Sequence, residues 1–158
     1  MSEIKSLKEN DSAPEFNLAD QNGKLWSLKD FKGKYLLIYF YPKDFTPGCT
    51  KEACNFRDAF PRISSNKFTM IGVSTDSSES HKKFADKYQL PFTLLADTDK
   101  KMVTDYGVWQ PKKFMGREFL GTIRTSFLIN PQGIIEKIYP KVNPITHIKE
   151  VEEDINRI

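Results

Sequence analysis

The chain is 158 residues long and carries 24 Lys and Arg against 21 Asp and Glu, a net charge of +3 with no long basic block. A hydrophobic share of 39%, with 12 Phe, 6 Tyr and 2 Trp, suffices for a packed core, so disorder, collagen and coiled coil are poor readings. Its two cysteines, Cys49 and Cys54, are too few for a disulfide-stapled secreted miniprotein or a four-thiolate zinc site.

Met1–Asn10 mixes charges and lacks the apolar stretch of a secretory leader. Pro14–Leu18 and Lys24–Leu28 alternate around Asp20-Gln-Asn-Gly23, which predicts a β-hairpin. Tyr35–Tyr41 is the longest apolar run. It is far short of the about 20 residues of a membrane helix and reads as a strand buried on both faces. Asp44–Gly48 is a loop. A helix is expected from Cys49 to Phe60, with Cys49, Ala53, Phe56 and Phe60 on one face. Phe68–Ser74 is a second buried strand. Asp76 and Glu79 suggest the cap of a helix whose apolar side is Phe84, Ala85 and Tyr88.

Thr93–Ala96 reads as a short strand and Lys100–Tyr106 as a short helix ended by Gly107. Thr125–Ile129 and Ile134–Tyr139 flank the turn Asn130-Pro-Gln-Gly133 as a second hairpin. Asn143-Pro144 opens a last helix that buries Ile145, Ile148, Val151 and Ile155. His81, His147 and the pairs Lys100-Lys101 and Lys112-Lys113 are expected at the surface. The order describes an α/β three-layer sandwich with a mixed central sheet and an N-terminal β-hairpin, one domain over 1–158. The first parallel strand ends at Pro42–Gly48, where open α/β sheets build their sites.

Without a leader, the expected compartment is the cytoplasm, with neither membrane nor nucleic acid as partner. A close thiol pair in a reducing cytosol is redox-active, catalytic or metal-binding rather than a permanent staple. Cys49 falls in the first helical turn, where free N–H groups and the helix dipole favour negative charge. Thr46 stands three residues before it, within reach of the thiolate or of a bound molecule. Cys54 is five residues on, which in an intact helix separates the Cα atoms by roughly 8.6 Å. A disulfide needs about 4.4–6.8 Å, so the pair can bond only if the helix unwinds locally.

Thiolate formation alone is a weak catalyst. For thiols in general, a pKa falling from about 8.5 to about 6 raises the thiolate fraction at pH 7 roughly 30-fold. The accompanying loss of nucleophilicity takes back on the order of tenfold. A fast thiol enzyme therefore needs a donor aimed at the leaving group, and arginine suits that task. Of Arg57, Arg62, Arg117, Arg124 and Arg157, Arg124 directly precedes an apolar strand and is best placed to face the cysteine loop.

These residues resemble the peroxiredoxins. Pro42-x-x-x-Thr46-x-x-Cys49 is that family's active-site pattern. The string from Phe40 to Cys54, with Tyr106-Gly-Val-Trp109 and Gly121–Ile129, is similar to the bacterioferritin comigratory protein, or peroxiredoxin Q, branch. The resemblance implies a thioredoxin-like fold and reduction of hydrogen peroxide and organic hydroperoxides without a cofactor or metal. It implies that Cys49 attacks the peroxide and becomes a sulfenic acid, with Thr46 and Arg124 holding the substrate. Pro42 would shield the sulfenic acid and Glu52 would orient Arg124. Cys54 would resolve it as a Cys49–Cys54 disulfide, reduced by thioredoxin or a similar dithiol, in a monomer. The Gly-Gly-Leu-Gly signature of easily overoxidised relatives is absent, which implies resistance to overoxidation.

Two other readings start from the same thiols. A general disulfide oxidoreductase would usually carry Cys-x-x-Cys and a proline before a late strand, where this chain has Arg124-Thr125. A copper-binding metallochaperone of similar fold would usually carry Cys-x3-Cys and a histidine placed as third ligand.

Overall fold

The computed structural model describes residues 6–158. Half of the leader reading, Met1–Lys5, lies outside the described residues. Strands β1 (Asn17–Ala19) and β2 (Leu25–Ser27) pair antiparallel as the expected first hairpin, shorter than the alternation suggested. Asp20 ties the turn: its carboxylate accepts from the N–H groups of Asn22 and Lys24 and from Trp26 Nε1. Leu28 leaves the strand and begins a 3-10 turn that ends at Phe31.

Five strands form the central sheet: β3 (Tyr35–Phe40), β4 (Phe68–Ser74), β5 (Thr93–Ala96), β8 (Thr125–Ile129) and β9 (Ile135–Tyr139). Their spatial order is β5-β4-β3-β8-β9. β3, β4 and β5 run parallel; β8 pairs antiparallel with β3, and β9 pairs antiparallel with β8. The unbroken apolar run of β3 follows from its place at the centre. Leu37, Tyr39 and Tyr41 enter one core, with Phe56, Phe84 and Val151. Leu36, Ile38 and Phe40 enter the other, with Phe31, Met102, Val103 and Phe127. Successive side chains point to opposite faces, so a strand covered on both sides must be apolar throughout.

Helices α1 (Pro47–Ile63), α2 (Ser78–Tyr88) and α4 (His147–Ile155) cover the first face, and α3 (Lys101–Asp105) the second. α1 starts earlier than expected and runs through Pro61 to bury Ile63. α2 is capped by Ser77, whose Oγ accepts from Ser80 N; Asp76 instead accepts from Asp44 N and Ser74 Oγ. α4 starts at His147, because Asn143 Oδ1 takes the N–H groups of Ile145 and Thr146 into a turn first. Ile145 is accordingly exposed instead of buried.

Both histidines are fully buried, against expectation. His147 hydrogen-bonds Ser126 Oγ through Nε2 and Glu150 Oε1 through Nδ1, both at 2.8 Å, and so pins α4 to β8. One pair of strands was not expected at all. β6 (Trp109–Phe114) and β7 (Arg117–Thr122) form a separate antiparallel hairpin. It turns through Met115 and Gly116, both at positive φ.

Candidate active site

β3 hands the chain to Tyr41 and half-buried Pro42, and the loop that follows is fixed by Asp44. The Asp44 carboxylate accepts from Tyr41 Oη at 2.7 Å and Ser80 Oγ at 2.8 Å, and pairs with His81 Nδ1 at 2.7 Å. Its N–H donates to Asp76 Oδ2 at 2.8 Å, and His81 Nε2 faces the Leu95 carbonyl at 2.9 Å. This buried network ties the loop to β3, β5 and the start of α2. Sequence reading missed it, because hydropathy marks apolar burial and not satisfied polar burial.

Pro47 occupies the first helical position and has no N–H to lose. The first intrahelical bond runs from Thr50 N to Thr46 O at 2.8 Å, so the N–H groups of Gly48 and Cys49 precede the ladder. Thr46 does not cap them with its side chain. Its hydroxyl donates to the Lys43 carbonyl at 2.9 Å. No acidic residue lies in the first turn, so the positive end of the helix is left to the Cys49 thiol.

Arg124 reaches that thiol as its place before the strand suggested. β8 runs antiparallel to β3 with Thr125 opposite Phe40, so the residue before β8 lies beside the residues just after β3. Arg124 Nη2 is 3.1 Å from Cys49 Sγ, and Nη1 donates to Glu52 Oε1 at 3.1 Å. A Cβ on Gly48 would sit 2.8 Å from Nη2, so the bare backbone there gives the guanidinium its passage. Cys49 and Glu52 are each 1% exposed, and the Arg124 side chain is 19% exposed.

Glu52 sits one helical turn beyond Cys49. Burial pushes its carboxyl up to about 7, although attraction and hydrogen bonding from Arg124 pull the other way. Its Oε2 and the Tyr39 Oη are buried without a hydrogen-bond partner among the described residues. Burial, with Glu52 and Cys49 nearby, holds the Tyr39 phenol protonated far above its usual range.

Cys54 is half-buried on the same unbroken helix, and both thiols are free. Ideal helix geometry therefore keeps them roughly 8.6 Å apart at Cα. Beside Cys54, Asn55 Nδ2 faces the carbonyls of Pro144 and Ile145 at 3.5 and 3.3 Å, which fastens α1 to the segment before α4. Neither histidine is placed to join the thiols as a third metal ligand, since both ring nitrogens of each are engaged elsewhere.

The β6–β7 hairpin brings in Lys112, which is half-buried instead of solvated. Its Nζ donates to the Thr122 carbonyl at 3.1 Å, two residues from Arg124. Burial and the neighbouring Arg124 lower the Lys112 ammonium from its usual range, and Cys49 opposes that shift.

The profile of the AhpC/TSA family matches residues 10–138. The peroxiredoxin Bcp of Bacillus subtilis is 45% identical over 138 residues, covering 87% of this chain and 88% of that one. A PrxQ mutant from Xylella fastidiosa superposes with a TM-score of 0.91 at 28% identity, over 97% of this chain and 98% of that one. The bacterioferritin comigratory protein of Xanthomonas campestris superposes with a TM-score of 0.84 at 32% identity, over 90% of both. Its structures hold trapped intermediate and ligand complexes that bear on its alkyl peroxide reduction activity.

Proposed function

The chain belongs to the AhpC/TSA family as a Bcp-type peroxiredoxin, a thiol-dependent peroxidase, and from that premise we propose that Cys49 is its peroxidatic cysteine and Cys54 its resolving cysteine. One observation carries the reading: a single guanidinium bridges the Cys49 thiol and the buried Glu52 carboxyl. The Cys49 thiolate attacks the terminal peroxide oxygen. An S–O bond forms, the O–O bond breaks, and the departing alkoxide or hydroxide takes a proton to leave as alcohol or water.

Arg124 serves both ends of this step. It steadies the thiolate before attack, and its fork of N–H groups meets the charge that grows on the leaving oxygen. Glu52 holds the fork in register. Thr46 has already spent its hydroxyl proton on Lys43, so its oxygen is left to accept the O–H of the incoming peroxide. Pro42, just after the end of β3, shields the sulfenic acid. The Arg124 side chain is partly exposed beside a buried thiol, so the guanidinium reaches solvent where Cys49 does not.

Resolution requires α1 to open. Cys54 then attacks the Cys49 sulfenic acid, a disulfide forms, and water leaves. A thioredoxin-type dithiol restores both thiols. Hydrogen peroxide and organic hydroperoxides are the substrates, and the 158 residues act as one domain and a monomer in the cytoplasm. Among the described residues no helix is long and apolar enough to cross a membrane.

Peroxide consumption coupled to thioredoxin and its reductase tests the assignment. Wild type turns over and Cys49→Ser does not. Cys54→Ser consumes one equivalent of peroxide and then stalls. Retained turnover in Cys49→Ser refutes the role of Cys49, and full turnover in Cys54→Ser refutes that of Cys54.

A further inference from the structure

Among the described residues, Lys112 is paired with no carboxylate. Among the described residues its one hydrogen bond goes to a backbone carbonyl, that of Thr122. The charges that act on it are Arg124, of like sign, and Cys49. Its stem crosses Gly121 so closely that a Cβ there would lie 2.8 Å from Lys112 Cδ. The hairpin therefore has a gap at residue 121 through which the ammonium is led toward Arg124.

The ladder register shows what stands beside it. Lys112 is opposite Phe119, and Phe114 is opposite Arg117, so these four side chains share one face of the hairpin. Lys113 and Glu118 are opposite each other on the other face. The face turned to the site thus offers an ammonium beside an aromatic ring.

Charge counting shows what this face lacks. The Cys49 thiolate balances Arg124. Glu52 adds a negative charge only when ionised, and burial has pushed its carboxyl up to about 7. With Glu52 protonated, Lys112 is one surplus positive charge at the mouth of a partly dry site, where an unpaired charge is costly and an arriving anion is drawn in.

We propose that Lys112 is a substrate contact which selects hydroperoxides carrying a carboxylate a few carbons from the peroxide group. The peroxide lies between Cys49 and Arg124, the carbon chain passes Phe119, and the carboxylate meets Lys112. This rests on the peroxidase reading and adds a substrate class to it.

The test measures the second-order rate constant of Cys49 oxidation by a short hydroperoxy carboxylic acid and by its methyl ester. Wild type oxidises faster with the acid. Lys112→Gln lowers the acid rate about tenfold more than the ester rate, as expected for one lost charge contact. Lys112→Arg keeps the preference, and added salt shrinks it. Lys113→Gln, on the opposite face, leaves both rates as they were. Equal losses for acid and ester in Lys112→Gln, or a Lys113→Gln that behaves like it, overturn the proposal. If the wild-type thiol reacts with neither peroxide, the peroxidase reading fails as well.

Discussion

Two regions each bring a cation toward the Cys49 thiol, and each does so across a glycine. The Pro42–Cys49 segment lets Arg124 past Gly48, and the β6–β7 hairpin lets Lys112 past Gly121. The supports differ. The loop is held by buried bonds from Asp44, and its thiol lies in the main core. The hairpin forms a sheet of its own, with Phe114, Met115, Phe119 and Leu120 exposed. Rigid support suits the donor that must meet a transition state to within a fraction of an ångström. A contact that only sorts substrates tolerates a softer mount.

Substitutions should separate the two regions. The largest effect is expected from Arg124→Ala, which should slow the peroxide step about 100-fold in single-turnover stopped flow while leaving resolution by Cys54 unchanged. Gly48→Ala should follow at about tenfold, because the new methyl displaces Nη2 and not the backbone. Its thermal midpoint should stay near wild type; unfolding in its place would show that the loop cannot yield. Gly121→Ala should cost less still. It moves the Lys112 stem, so it should reduce the acid-over-ester preference and spare hydrogen peroxide.

The smallest effect is on stability, and its sign follows from Glu52. The folded chain keeps a proton on this carboxyl up to about pH 7, whereas the unfolded chain releases it near the ordinary glutamate value. Between those limits the folded state binds more protons, so this contribution is full below the lower limit and is lost as pH rises through 7. Urea unfolding of wild type and Glu52→Gln should show the variant gaining relative to wild type between pH 5 and 8. A constant difference would remove Glu52 from the account.

The same contrast explains what could be read in advance. Tyr35–Tyr41 announced a central strand because both of its faces are covered. Arg124 could be singled out because a residue at the start of a strand has a definite neighbour once that strand's direction is known. The roles of Thr46, Glu52 and Cys54 needed the family resemblance. The β6–β7 hairpin left no such mark. Pro111 and the lysines hide its alternation, and its turn uses Met115-Gly116 where two positive φ angles usually call for Asn-Gly. With the hairpin unseen, Lys112 looked like one more solvated lysine. His81 and His147 misled for a related reason. Each is buried because its two nitrogens are satisfied, and apart from Glu150, one turn on from His147, those partners lie 14 or more residues away in sequence.

The unbroken α1 also bears on the electrochemistry of the thiol pair. A bond between Cys49 and Cys54 closes only after the first turns of the helix have come apart, so the oxidised chain gives up whatever those turns contribute. That loss makes the disulfide easier to reduce, by about 30 mV for each 1.4 kcal/mol. With the proposed Cys49–Cys54 couple, Pro47 at the first helical position and the hold of Asn55 on the Pro144 and Ile145 carbonyls would thus set a midpoint potential. Loosening either should shift the couple toward more negative values and make it a poorer electron acceptor for its reductant.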